Sequence, residues 1–266
     1  MKILVLSLSA AIVALSSCSK ALETPQTTSV TSTPTTPVTP VQTATEPNTI
    51  QFSGMTWYVV NSGERVGPGN NFFDSSNVFL DASGNLHLKI TQDAKGFWHC
   101  ASLHTKKTFG LGAYKFYVEG KLDQLDKNTV LGLFNYSGKD GFDEIDVEIA
   151  KWGLDSKSNI NYTVYPSAGE PTHKTKQTAL PADELYSTHE YRRNADGIDF
   201  SSAPGFVDPS VSPFTAYTFT NNYTAPFLAS TTNMPLYINF WLFQSKPPSD
   251  GKETELIIHK VEVPAA

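Results

Sequence analysis

Cysteine is nearly absent: Cys18 and Cys100 are the only two in 266 residues. Two thiols cannot build a disulfide framework, so stability must come from a hydrophobic core. Residues 1–49 lack Phe, Tyr, Trp and Gly altogether, which leaves every aromatic residue and all 17 glycines in residues 50–266. Only that second part can form a core, and its length suits one domain of ordinary size. No apolar run reaches the roughly 20 residues that a membrane-spanning helix needs. Clustered Lys and Arg are missing too, and the net charge is −6. A mildly acidic chain of this kind is a poor partner for nucleic acid. Coiled-coil heptads, internal repeats and a phosphate-binding glycine loop are also absent.

What the first 49 residues do contain is an address. Lys2 precedes an apolar stretch from Ile3 to Leu15, followed by Ser16-Ser17-Cys18. Residues 1–17 therefore read as an export signal. Leu15-Ser16-Ser17-Cys18 resembles a bacterial lipobox, and the resemblance implies a lipidated Cys18 as the mature N-terminus. Residues 18–49 then form a tether. Ten Thr, five Pro and two Ser lie between positions 24 and 48, with no charge from Thr24 to Thr45. Such a segment cannot offset its ordering entropy by burial, and its prolines favour extended conformations. The expectation is a monomer in the bacterial cell envelope, held by lipid at the outer membrane or cell surface. Cys100 is left without a partner and is expected to be a buried free thiol.

Residues 50–266 read as all-β. Alternating or apolar runs occur at Thr56–Val60, Leu86–Ile90, Tyr114–Val118, Asn128–Tyr136, Ile160–Tyr165, Leu236–Leu242 and Glu255–Val263. Turn signals such as Gly67-Pro68-Gly69-Asn70 and Ala82-Ser83-Gly84-Asn85 separate them. No long segment has a 3.6-residue apolar period. Short strands at this spacing predict a sandwich or jelly roll, with a concave face suited to a linear ligand.

One segment carries chemistry. In Phe142-Asp143-Glu144-Ile145-Asp146-Val147-Glu148-Ile149, strand alternation sends Glu144, Asp146 and Glu148 to one face and Ile145, Val147 and Ile149 to the other. Three like charges on one face serve no packing purpose. Phe142 has the same parity and Trp152 follows closely, which argues against a merely solvated strand. Paired carboxylates are what glycoside hydrolysis requires: one attacks the anomeric carbon, the other protonates the leaving oxygen and later activates water. The Cα atoms of Glu144 and Glu148 would lie about 13 Å apart on a strand, a gap two side chains can close. Asp146 between them would hydrogen-bond one or both and raise a neighbour's pKa by repulsion.

Glu144-Ile145-Asp146-Val147-Glu148 resembles the E-[IL]-D-[IV]-E signature of glycoside hydrolase family 16, in its regular-strand branch. Further matches are Asn70 through Val78, Trp98-His99-Cys100-Ala101-Ser102, Phe109 through Tyr114, Leu131 through Tyr136, and Ile238-Asn239-Phe240-Trp241. The resemblance implies a concanavalin A-like β-jelly roll and retaining chemistry. It makes Glu144 the nucleophile, Asp146 the helper and Glu148 the acid/base. The chain departs from the family's pattern in several places. Ser102 stands at a Glu position, His104 at an Arg position, Phe142 at a Trp position, and Arg193 where a Trp is usual. Asn71 replaces the Cys that pairs with the equivalent of Cys100 in lichenases. Two extra residues precede Gly153.

Sugars combine flat C–H faces with hydroxyl edges, so clefts pair aromatic platforms with polar groups. Phe73, Phe142 and Trp241 are the stacking candidates. Asn70, Ser102 and His104 are candidates for hydroxyl contacts, joined by Asn161 and Tyr165 on the next strand. The spacing of His99, Cys100 and His104 fits no zinc pattern. His189 reads as a hydrogen-bonded structural histidine. No cofactor is required. A structural Ca²⁺ occurs in relatives of this kind, but no Asp-rich loop marks one here. The resulting expectation is a retaining endo-β-glucanase acting on β-1,3-1,4- or β-1,3-glucan. The alternatives are a noncatalytic glycan-binding lipoprotein on the same scaffold, or a hydrolase of another β-glycan such as xyloglucan or a marine galactan.

Overall fold

The computed structural model describes residues 48–265 apart from Lys157 and Ala225. The export signal, Cys18 and most of the tether lie outside the described residues. Among the described residues no helix is long and apolar enough to cross a membrane.

Sixteen strands carry the fold. The first five are β1 (Thr49–Phe52), β2 (Met55–Val59), β3 (Phe72–Phe73), β4 (Val78–Leu80) and β5 (Leu86–Gln92). Then come β6 (Trp98–Phe109), β7 (Gly112–Glu119), β8 (Thr129–Tyr136), β9 (Glu144–Ala150), β10 (Ser158–Tyr165) and β11 (Lys174–Ala179). The last five are β12 (Tyr186–Asn194), β13 (Gly197–Pro204), β14 (Thr215–Thr220), β15 (Met234–Leu242) and β16 (Thr254–Glu262). Each run singled out in the sequence falls on a strand. In β7, Tyr114, Phe116 and Val118 are buried while Lys115, Tyr117 and Glu119 are less so, as a period of two requires.

The strands pair in the order β11-β10-β9-β8-β15-β6-β5-β16-β7-β12-β13-β14. β6 joins the two halves. Its start pairs with β5 (Thr91↔His99), and its later residues pair with β15 and β2. The path thus curves back on itself as an all-β jelly roll. Contacts across the interior show the two halves facing each other. Tyr162 of β10 stacks on Phe200 of β13 at 4.9 Å, and the Tyr191 hydroxyl of β12 donates to Asn135 Oδ1 of β8 at 3.0 Å. Ile145, Val147 and Ile149 are buried in the same core, so the apolar side of β9 is held from behind.

Two polar groups of this interior are tied in by hydrogen bonds, as burial demands. His189 is fully buried between the hydroxyls of Ser187 (3.0 Å) and Ser202 (2.8 Å), and burial pushes its pKa down to about 3. It is the structural histidine that its sequence position suggested. Cys100 is a buried free thiol pushed up to about 12 by burial. Asn71, opposite it in the resemblance, donates instead to the carbonyls of Pro68 and Leu242.

Arg193 is buried to 1% exposure. Its guanidinium donates to the carbonyls of Phe109 (3.2 Å), Ser230 (3.0 Å) and Thr232 (2.6 Å), and to Tyr114 and Asn135. It therefore ties the end of β6 and two carbonyls of the loop before β15 to the β8–β12 interface. Removing the guanidinium strands buried carbonyls, so Arg193→Ala is expected to cost about 3–5 kcal/mol, read from its urea midpoint against the parent chain.

Candidate active site

Strand β9 places Glu144, Asp146 and Glu148 on one face by alternation alone. Register supplies the rest, because residues directly opposite on antiparallel strands share a face. In the first row, Glu144 lies between Tyr165 of β10 and Tyr136 of β8. The second row runs Thr163, Asp146, Phe134, Tyr237, His104, Tyr58 across six strands. The third runs Asn161, Glu148, Gly132, Asn239, Ser102. Trp241 lies one row further on, opposite Val130. Gly132 puts no side chain beside Glu148.

The second row is an aromatic ladder. Phe134 stacks on Tyr237 (5.2 Å, 19°), Tyr237 on His104 (5.0 Å, 24°), and His104 lies against Tyr58 (5.5 Å, 37°). Tyr136 meets Tyr237 edge-on at 6.0 Å. Rings stacked this way between strands form a continuous apolar floor beside the acids.

All three acids are pushed up, and burial is the main cause in each. Glu148 rises to about 7 from burial alone. Glu144 rises to about 8 through burial, then repulsion from Glu148; the hydrogen bond from Asp146 pulls it back. Asp146 lies well above the ordinary range through burial, then the charges of Glu144 and Glu148, then its bond to Glu144. Groups this close titrate as a unit. The bond between Asp146 and Glu144 raises Asp146 and lowers Glu144, which is the sense expected when Asp146 donates and Glu144 accepts. Burial raises Glu148 as well, so the protons of the cluster belong to the three acids together rather than to any one of them. The phenols of Tyr165 and Tyr237 are also raised, by burial and then by nearby acid charge, which puts both against the triplet.

The other sequence candidates divide. Ser102 shares the acid face, and its hydroxyl donates to Asn239 Oδ1 at 2.7 Å. His104 is a rung of the ladder, with burial lowering its pKa. Tyr165 stands opposite Glu144. Trp241 is only 8% exposed, and the turn carrying exposed Asn70 lies over it.

Three expectations change. Phe73 is 1% exposed within the core, because β3 inserts parallel to β6 and pairs it with Cys100; it is not a stacking platform. Phe142 is not on β9. Asp143 has φ +50°, the strand begins at Glu144, and Lys139 Nζ lies 3.9 Å from the Phe142 ring centre. Its face is taken by an ammonium. Asn161 has its amide filled by the protein. Oδ1 accepts from Trp152 Nε1 (3.1 Å) and Gln177 Nε2 (2.5 Å), while Nδ2 donates to the carbonyls of Glu148 and Ala150. It braces Trp152 and has no capacity left for a sugar hydroxyl.

Backbone strain collects round this face. Asp143, Trp152, Asn70, Gln244 and Ser245 all have positive φ, and they flank β9 or Trp241. Each such residue costs roughly 1–3 kcal/mol, a cost that concentrates at functional sites. Among the described residues no group of three His, Cys, Asp or Glu is arranged to hold a metal ion.

No family model matches the chain, and no curated protein matches it. Solved structures do. A Bacillus licheniformis β-glucanase superposes at TM-score 0.59 and 16% identity, over 83% of this chain and 100% of that one. The chain has the jelly-roll fold of that β-glucanase. A β-1,3-glucanase from Mycobacterium marinum matches at TM-score 0.59 and 20% identity, over 78% and 90% of the two chains. A glycoside hydrolase family 16 endo-glucanase from Bacteroides ovatus, in complex with G4G3G-2F-DNP, matches at 0.57 and 13%, over 78% and 94%.

On this jelly roll, sequence reasoning missed Phe134, Tyr136, Tyr237, Tyr58 and Asn239. The available signal was parity: Phe134 and Tyr136 alternate on the strand before the acids, and Tyr237 precedes Asn239 and Trp241 by even steps. Gly69 is a second omission. A Cβ there would lie 2.6 Å from Trp241 Cζ3, and its φ is +68°. Gly69→Ala is therefore expected to displace the turn or the indole, costing about 2 kcal/mol and shifting the tryptophan emission spectrum.

Proposed function

We propose that this chain is a retaining endo-β-glucanase of glycoside hydrolase family 16 acting on β-1,3-1,4- or β-1,3-glucan. The observation that carries the reading is the triplet itself: Glu144, Asp146 and Glu148 on one face of β9, with Ile145, Val147 and Ile149 buried behind them. The jelly-roll likeness to β-glucanases and the aromatic ladder beside the acids support it.

In the first step the Glu144 carboxylate attacks the anomeric carbon while Glu148 gives its proton to the glycosidic oxygen, and the C–O bond to the leaving sugar breaks. In the second step Glu148, now a carboxylate, takes a proton from water; that water attacks the same carbon and releases Glu144. Two inversions return the original anomeric configuration. The Asp146 hydrogen bond favours the ionised form of Glu144, and burial favours the protonated form of Glu148.

Purified protein should release reducing oligosaccharides from lichenan or laminarin, with β-anomers first in proton NMR. An α-anomer would contradict the double displacement. Binding without cleavage of lichenan, laminarin and xyloglucan would favour a glycan-binding protein instead. Activity should fall in acid and in alkali, because one acid must be ionised and another protonated, and both limbs should lie above the ordinary carboxylate range because all three acids are raised. The lipobox-like Cys18 and the Thr/Pro-rich tether support an envelope lipoprotein that meets polymer outside the cell, and a Cys18→Ala variant should leave the membrane fraction.

A further inference from the structure

Trp152 packs against the edge of the core and leaves part of its indole open. Its backbone φ is +54°, a conformation that bulky side chains avoid. The turn that carries it is pinned on both sides. Lys151 Nζ donates to the carbonyls of Asp123 and Leu125, Gly153 N to Lys127 O, and Lys127 pairs with Asp155 at 3.0 Å. The half-buried indole donates to Asn161, the residue directly opposite Glu148. Its ring neighbours Trp241 (6.4 Å, 58°) and Phe243 (5.4 Å, 71°) meet it at steep angles, and neither stacks in parallel. Leu154, two residues on, is 65% exposed and extends the apolar rim.

Position along β9 sets the side. Glu144 comes first, Asp146 and Glu148 follow at even steps, and Trp152 lies past the end of β9, brought to the Glu148 side by its bond to Asn161. The acid/base is the group that reaches the glycosidic oxygen, so what borders Glu148 away from Glu144 borders the departing sugar. We infer that Trp152 is a specificity-determining platform for the leaving-group side of the cleft, stacking on the flat C–H face of a pyranose beyond the scissile bond. This rests on the hydrolase reading. It assigns Asn161 a positioning role, holding the indole through a fully used amide.

The test compares two substrates with the same glycone. One is a β-glucan oligosaccharide, whose leaving group is a sugar. The other is the corresponding glycosyl fluoride, whose leaving group is too small to reach the indole. Trp152→Ala should lower kcat/KM on the oligosaccharide at least about tenfold more than on the fluoride, the worth of one good stacking contact. Trp152→Phe, which keeps a ring, should restore much of that ratio and covers the case in which the alanine variant fails to fold. Transfer of the glycosyl unit from the fluoride to a disaccharide acceptor, relative to hydrolysis, should fall in step with the ratio. Equal losses on both substrates, or a ratio unmoved in Trp152→Phe and Trp152→Ala alike, would overturn the platform while leaving the hydrolase reading intact. A parent chain that turns over neither substrate would overturn the hydrolase reading, and the platform with it.

Discussion

Glu144→Ala is expected to lose hydrolysis of β-glucan by at least about 10⁴-fold, and azide should then restore turnover of an activated β-glycosyl substrate with inversion. The loss follows from removing the only group placed to form the glycosyl ester. The stereochemistry follows from geometry: azide enters the space the carboxylate left and attacks from the same side, giving the α-azide. Glu148→Ala should behave differently. Loss on polysaccharide should be about 10²–10⁴-fold, since a general acid is missing. A substrate with a good leaving group needs no acid and still forms the ester on Glu144. Azide then attacks that ester from the opposite side and gives the β-azide. Proton NMR of the anomeric signal reads both outcomes. Products of reversed configuration would exchange the two assignments. Full activity in either variant would remove the residue from the mechanism.

Glu148→Gln is expected to make the protein more stable at pH 8 while nearly abolishing activity on polysaccharide. The folded carboxyl is raised from 4.5 to about 7. Between those values the folded chain binds a proton that the unfolded chain has released, so stability is full below about pH 4.5 and falls as pH rises through 7. At pH 8 the parent therefore carries a penalty of about 3 kcal/mol that a neutral amide does not. The melting temperature should rise by about 5–8 °C at pH 8, and the gap should close toward pH 4. Asp146→Asn should move in the same direction, because burial and two neighbouring charges raise its pKa too. A variant no more stable than the parent at pH 8 would show that the acid is not held at a cost. The trade is a familiar one: an active site keeps like charges together because the chemistry uses them.

In the proposed reading the jelly roll carries the acids and the turn after β9 carries the indole. At position 104 a histidine stacks within the aromatic ladder, and at position 102 a serine hydroxyl donates to Asn239.

Strand alternation is a local property, so the sequence by itself determined that Glu144, Asp146 and Glu148 share a face and that Ile145, Val147 and Ile149 back it. The all-β class was legible for the same reason: period-two runs and turn residues act over a few positions. What needed tertiary structure was everything set by pairing between distant strands. Register alone lines up Asp146, Phe134, Tyr237, His104 and Tyr58, which come from five strands spread over 180 positions. Burial of Phe73 depends on β3 lying against β6, and loss of Phe142 from the strand face depends on one positive φ at Asp143. Asn161 could be placed opposite Glu148 only once β10 was paired with β9, and its filled amide became visible only when Trp152 and Gln177 were brought to it. A residue's face follows from its neighbours in sequence; its partners and its free hydrogen-bonding capacity follow from residues that only folding brings near.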